Sequence, residues 1–219
     1  PTLIIGHCVM GKGARKADNS SYECNCATHG APLGGDAYIN TVKNLGADPE
    51  NPFVIWEETA QLYENRKDEL RTIVAERRKE EAEWAAANPE KAEMLKNWWE
   101  NKLPELPWDQ IEQKPNSPTR NASAVCLSML SEHVGNMIVS SADLCNSDKT
   151  DGFLKHTTVI TRDNFAGGFF QAGVSELTMA CVCIGMTLHG GILTAMGTFF
   201  VFSDYMKPAV RMAALMELP

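Results

Sequence analysis

GVSELTMACVCIGMTLHGG, residues 173–191, decides how this chain is read. A single carboxylate, Glu176, opens the stretch, and positions 177–202 then carry no Asp, Glu, Lys or Arg over 26 residues. Phe169 to Val174 reads as a strand that passes straight into a helix beginning near Glu176 and stopped by Gly190-Gly191. An acid in such surroundings is costly to fold and useful for chemistry. Burial disfavours a carboxyl's charged form and lets it donate or share a proton near neutral pH. The plainer reading is a helix-start glutamate favoured by the macrodipole.

Working outward, 193–201 offers a further strand and 203–217 a last amphipathic helix. Phe199, Phe202 and Tyr205 follow at spacings of three, an aromatic cluster that by itself reads most simply as core. Upstream, 120–135 suits a helix and 136–141 a buried strand ending at Ala142-Asp143. A loop with Asn146-Ser147-Asp148 follows, then a short strand near 157–160. Alternating strands and helices predict an α/β domain with a mainly parallel sheet. Sites in such sheets gather at the carboxyl ends of strands, where Asp143 and Glu176 would fall.

The first half has a different character. Residues 2–10 read as a buried strand, ending at Gly11 and Gly13, and a polar segment runs on to Thr28. The glycines and proline of 29–35 exclude regular structure there. Asp36 would cap a helix over about 37–45, closed by Gly46. From Glu57 to Lys102 the composition shifts to Glu, Lys, Arg and Ala. Leu62, Leu70, Ile73, Val74 and Trp84 fall at helical spacing, so that one face could dock. Asn88-Pro89 breaks the run, and a second helix over 90–101 would bury Trp98 or Trp99. Pro104, Pro107, Pro115 and Pro118 mark an extended linker and the expected domain boundary.

The 219 residues suffice for one large domain or two small ones, with 44% hydrophobic and 22% charged residues. A net charge of −8 argues against nucleic-acid or anionic-membrane binding. Of the seven cysteines, Cys24/Cys26 and Cys181/Cys183 are spaced too closely to bridge comfortably. Without a signal-like segment, this predicts free thiols and a cytoplasmic location. The chain starts at Pro1 without an initiator methionine and stops at Pro219 just after a helix-like run, which predicts a piece of something longer.

Three further patterns have plainer explanations. Cys24-x-Cys26-x-x-His29 has no second ligand pair at zinc-site spacing. Gly6 to Lys12 has P-loop spacing, but Gly13 stands where a hydroxyl must reach magnesium. The uncharged run is long enough to cross a bilayer, yet glycines interrupt it and no basic anchors flank it.

Four segments, in order, are similar to transketolase, a thiamine-diphosphate enzyme. THGAPLGGDA (28–37) resembles the signature HGAPLG. TRNAS (119–123) with SADLCNSDKT (141–150) resembles the paired (S/T)RK…SADLxxSN. GVSELTMACVCIGMTLHGG resembles GVREFGM…ANGISLHGG, and 198–216 resembles TFLxFxxYxxxAVRMAALM. Ser175, Thr178 and Cys145-Asn146 depart from these patterns and suggest a divergent bacterial branch.

The resemblance implies a thiamine-diphosphate-binding fold. Residues 1–55 would be the C-terminal end of a diphosphate-binding domain, 56–118 a helical and proline-rich linker, and 119–219 the N-terminal part of a pyrimidine-binding domain. It also implies roles. Glu176 would hydrogen-bond N1′ of the aminopyrimidine, and Phe199, Phe202 and Tyr205 would stack on that ring. Asp143 would lie near the thiazolium, Arg120 and Ser147 would hold a sugar phosphate, and His29 would face cofactor and substrate. Mg2+ or Ca2+ would be held by residues outside this segment, and each site would form between two subunits of a homodimer. The implied reaction transfers a two-carbon ketol unit from a ketose phosphate to an aldose phosphate, with the segment alone inactive. Two alternatives stay open: another thiamine enzyme of the dihydroxyacetone or deoxyxylulose-phosphate synthase type, or a non-catalytic folding or dimerisation piece.

Overall fold

The computed structural model describes residues 3–219. The chain divides into two compact units, Pro1–Lys79 and Glu80–Pro219.

In the first unit, the helix α1 (Gly35–Asn44) docks on the polar loop before it through side-chain bonds to backbone. Thr41 Oγ1 accepts from the Arg15 amide at 2.8 Å, and Asn44 Nδ2 donates to the Gly13 carbonyl at 2.9 Å. Buried Ala14 and Thr41 lie at this contact. The helix starts two residues earlier than expected: Gly34 is the N-cap and Asp36 sits inside the first turn, still on the favourable side of the dipole. Gly46 adopts φ +83° just after the helix, a conformation that suits glycine.

The strand expected over 2–10 is absent from 3–10, which is irregular and exposed, while Thr2 lies outside the described residues. β-branched residues favour a strand only when a neighbouring edge pairs with their backbone, and no described strand flanks this segment.

The long helix α2 (Glu57–Ala87) buries none of its residues. Leu62, Leu70, Ile73, Val74 and Trp84, the residues of the face that could dock, are all exposed on this helix. Charges three apart line it instead, as in Arg66–Glu69 at 2.6 Å and Arg71–Asp68 at 2.7 Å. Pro89 begins α3 (Pro89–Trp99), where its missing N–H costs nothing.

The second unit is built on a three-stranded parallel sheet. After α4 (Thr119–His133) come β1 (Met137–Ser141), the single-turn α5 (Cys145–Asp148), β2 (Phe169–Gln171), α6 (Glu176–His189), β3 (Leu193–Gly197) and α7 (Lys207–Leu215). The strand order is β2-β1-β3, with Ser141 opposite both Gln171 and Gly197. Flanked on both sides, β1 buries Val139, Ser140 and Ser141 almost completely. The expected strand at 157–160 shrinks to one parallel bridge, Val159 to Phe169. The expected strand 193–201 ends at Gly197, because its partner β1 ends at Ser141.

One core cluster joins Leu127, Val139, Phe153 and Phe169. A second joins Ala142, Met179 and Cys183, ringed by Met186, Met196 and Met206. The buried residues of α6 are Glu176, Met179, Ala180 and Cys183, at the i, i+3, i+4, i+7 spacing of one helix face. Two glycines permit close approach. A Cβ on Gly152 would lie 2.4 Å from the Ala124 carbonyl of α4, and one on Gly190 would lie 2.7 Å from the Trp99 ring. Trp99 also meets His189 with ring centroids 5.4 Å apart, yet it stays half-exposed and α3 buries none of its residues, so the burial expected of Trp98 or Trp99 is not found.

All seven cysteines are free thiols. Burial pushes the Cys183 thiol up to about 11, whereas Cys181, two residues away, is exposed. The expected result with iodoacetamide at pH 8 is rapid labelling of Cys181 in the folded chain and labelling of Cys183 only after unfolding, read by peptide mass spectrometry. Equal rates at both would contradict this packing. No helix among the described residues is long and apolar enough to cross a membrane, since the uncharged run divides between α6 and β3.

Candidate active site

Because the three strands are parallel, their carboxyl ends share one edge of the sheet, and the segments that leave them meet there. Ala142 and Leu144 follow β1, Val174 and Glu176 follow β2, and Phe202 and Tyr205 follow β3. These six residues line a cavity of about 400 Å3.

Glu176 is only 7% exposed and stands in the first turn of α6. The N-cap Ser175 makes no side-chain bond to the helix, so the carboxylate sits beside uncapped first-turn amides whose positive dipole ends favour a negative charge. Thr198, the first residue after β3, donates its hydroxyl to Glu176 Oε1 at 3.3 Å. Among the described residues it is the one hydrogen-bond partner of this carboxylate.

The aromatic spacing has a backbone cause. Phe200–Met206 forms a 3-10 turn rather than the start of the expected α-helix, and Phe199 is its N-cap. With three residues per turn, side chains at i and i+3 eclipse. Phe199 and Phe202 accordingly stack at 5.9 Å with planes 11° apart, and Phe202 and Tyr205 at 6.2 Å with planes 26° apart. The α-helix α7 starts only at Lys207, next to Pro208.

A second cavity, about 650 Å3, includes Arg120, Asp148, Thr150, Thr198 and Phe199 in its lining. Arg120 is exposed in the first turn of α4. Asp148 is held firmly: Oδ2 accepts from Ser141 Oγ at 2.8 Å, and Oδ1 accepts from the Thr150 amide at 2.9 Å and hydroxyl at 2.7 Å. This network ties the end of β1 to α5, the single helical turn that carries Ser147 where the sequence suggested a loop, just after Asp143.

The expected site residues are thus distributed unevenly. Glu176, Phe202 and Tyr205 share one cavity. Phe199 and Arg120 share the other, and Phe199 also joins the ring stack. Asp143 is exposed with φ +64° between two cavity-lining neighbours and is not itself in the lining. Ser147 is half-buried, donates to Asn146 Oδ1 at 3.2 Å, and lines neither cavity. His29 belongs to the first unit, exposed just after a 3-10 turn at Cys26–Thr28, its amide donating to the Cys26 carbonyl at 3.1 Å. Sequence reasoning assigned no part to Thr198 or Asp148. The Asp148-x-Thr150 spacing, a common local side-chain turn, was a signal for the latter. Nothing in the spacing of Thr198 and Glu176, 22 residues apart, marks their contact.

Two family models match the chain: the thiamine diphosphate binding domain of transketolase over residues 1–104, and its pyrimidine binding domain over 116–219. The chain belongs to the transketolase family. The transketolase of Halalkalibacterium halodurans is 35% identical over 223 residues, covering all of this chain and 32% of that protein. The transketolase of Leishmania mexicana superposes with a TM-score of 0.78 at 26% identity, over 94% of this chain and 30% of its own. The Pichia stipitis enzyme, in a complex with sedoheptulose-7-phosphate, gives 0.74 at 29% identity, over 88% and 30%. The chain spans about a third of the length of the curated relatives it matches.

The residues present fit the pyrimidine end of thiamine diphosphate. A near-buried carboxylate with one oxygen already bonded opens on a cavity bordered by stacked rings, as a flat, hydrogen-bonding heterocycle needs. Among the described residues, no group of three or more His, Cys, Asp or Glu could hold a metal ion.

Proposed function

We propose that this chain forms the pyrimidine-holding side of a thiamine-diphosphate site in a longer transketolase. The observation that carries the reading is the Glu176 carboxylate facing one cavity with Phe202 and Tyr205. The family relationship, the exit of all three segments from one sheet edge and the motif order support it.

Bound thiamine diphosphate would supply an acidic thiazolium carbon able to attack a ketose carbonyl. Glu176 would hold a hydrogen bond at N1′ of the aminopyrimidine and so favour the tautomer that makes the exocyclic nitrogen basic. Phe202 and Tyr205 border the ring and exclude water, with Phe199 extending the stack. Asp143 places negative charge near the cationic thiazolium. Arg120 and Ser147 bind the phosphate of the sugar, the guanidinium through charge-assisted bonds. His29 moves a proton at the substrate oxygen. Mg2+, or Ca2+, is held by residues outside this chain.

Residues 1–55 close a diphosphate-binding domain, 56–118 link, and 119–219 open the pyrimidine-binding domain. Each site is shared between two subunits of a homodimer. The protein acts in the cytoplasm on sugar phosphates, without nucleic-acid or membrane partners. Nothing favours a different thiamine enzyme or a purely structural role.

The full-length protein is expected to convert xylulose 5-phosphate and ribose 5-phosphate, with glyceraldehyde 3-phosphate release as the readout. The 219-residue chain alone, free of full-length protein, is expected to give none. Turnover by the isolated chain would overturn the half-site reading, and absence of turnover in the full-length protein would overturn the substrate assignment.

A further inference from the structure

We propose that Thr198 is a positioning residue for Glu176, fixing which carboxylate oxygen faces the cofactor cavity. This rests on the reading of Glu176 given above. A glutamate at the start of a helix can turn about its terminal bond, and both oxygens are then equivalent partners for an incoming ring. The Thr198 hydroxyl removes that equivalence by donating to Oε1 at 3.3 Å, which leaves Oε2 for the aminopyrimidine.

Thr198 is suited to this by where it stands. It directly follows Gly197, the last paired residue of β3, so its backbone is set by the sheet rather than by a free loop. Gly197 is closely approached by its neighbours: a Cβ there would lie 2.3 Å from Thr150 Cγ2 and 3.3 Å from Asp148 Oδ2. At the other end of the pair, Thr187 of α6 and Thr194 of β3 share a hydroxyl–hydroxyl bond at 2.9 Å. Hydroxyl bonds therefore pin α6 to the β3 segment near both ends of the helix, and the carboxylate is one of the four groups involved. The residue after Thr198 is Phe199, which begins the ring stack. One short segment thus sets both the acid and the aromatic surface. The β-branch of threonine, stiff at χ1, holds the hydroxyl better than a freely rotating side chain would.

The test uses the full-length protein and the variants Thr198→Val, Thr198→Ala, Thr198→Ser and Glu176→Gln. Thiamine diphosphate affinity is measured by calorimetric titration with Mg2+. Exchange of the cofactor's thiazolium C2 proton into D2O is followed by NMR at saturating cofactor, and kcat and KM are measured with sugar phosphates. Thr198→Val is expected to slow C2 exchange and kcat by about tenfold, the effect of losing one hydrogen bond to a charged group, with sugar-phosphate KM unchanged. Thr198→Ser is expected to restore both. Should the valine variant fail to fold, Thr198→Ala makes the same comparison.

Wild-type exchange in the hydroxyl-free variants alongside slow exchange in Glu176→Gln would overturn the role of Thr198 alone. A serine variant as slow as valine would also overturn it. Wild-type exchange in Glu176→Gln would overturn the reading of Glu176, and this inference with it.

Discussion

Glu176→Gln in the full-length protein is expected to lower ketol transfer by about 10²–10⁴-fold, the range for losing a positioned acid–base group. The substitution is nearly isosteric, and the amide oxygen can still accept the Thr198 hydroxyl, so packing at the start of α6 should survive. What is lost is the ability to hold or share a proton at the cavity. Folding, followed by circular dichroism, should match wild type, because Met179, Ala180 and Cys183 on the same helix face are untouched. Activity within a factor of a few of wild type would sink the assignment of this carboxylate. Loss of folded structure would instead mean that the acid serves the fold.

Phe169→Ala in the 219-residue chain is expected to destabilise the second unit by about 3–5 kcal/mol, as for other buried phenylalanines. Phe169 is fully buried, pairs with Val139 across β1 and β2, and packs in the cluster with Leu127 and Phe153. Its backbone is bonded on the other side too: its amide donates to the Thr158 carbonyl at 3.2 Å, and its carbonyl accepts from the Ile160 amide at 2.7 Å. The fall should appear as a lower urea midpoint. The control is Phe165→Ala, four residues away and 81% exposed, which should shift stability by less than about 0.5 kcal/mol. Equal effects would mean that this sheet edge is not the core it is taken to be.

Much of the second unit was legible because its signals are local. The helix at 176–189 followed from an apolar run bounded by an acid and two glycines, and the strand at 137–141 from β-branched residues before a loop. Strand lengths were not legible, since a strand extends only as far as its neighbour pairs with it. β3 stops at Gly197 because β1 stops at Ser141, and 3–10 stays irregular where no edge is offered. The spacing of Phe199, Phe202 and Tyr205 was visible, but the expected strand 193–201 and helix 203–217 divided the three rings between two elements. The 3-10 turn brings them together, by eclipsing side chains three apart.

By itself, the sequence determined the main helices and central strand of the second unit, the family and the candidate acid, because each is written in contiguous residues or short motifs. Only the tertiary structure decided which of those residues meet. It set Glu176 with Phe202 and Tyr205, put Arg120 and Phe199 around a separate cavity, and brought Thr198 to the carboxylate. The physical reason is the parallel sheet. Its register lines up three strand ends that are far apart in the chain, and no local pattern encodes that register.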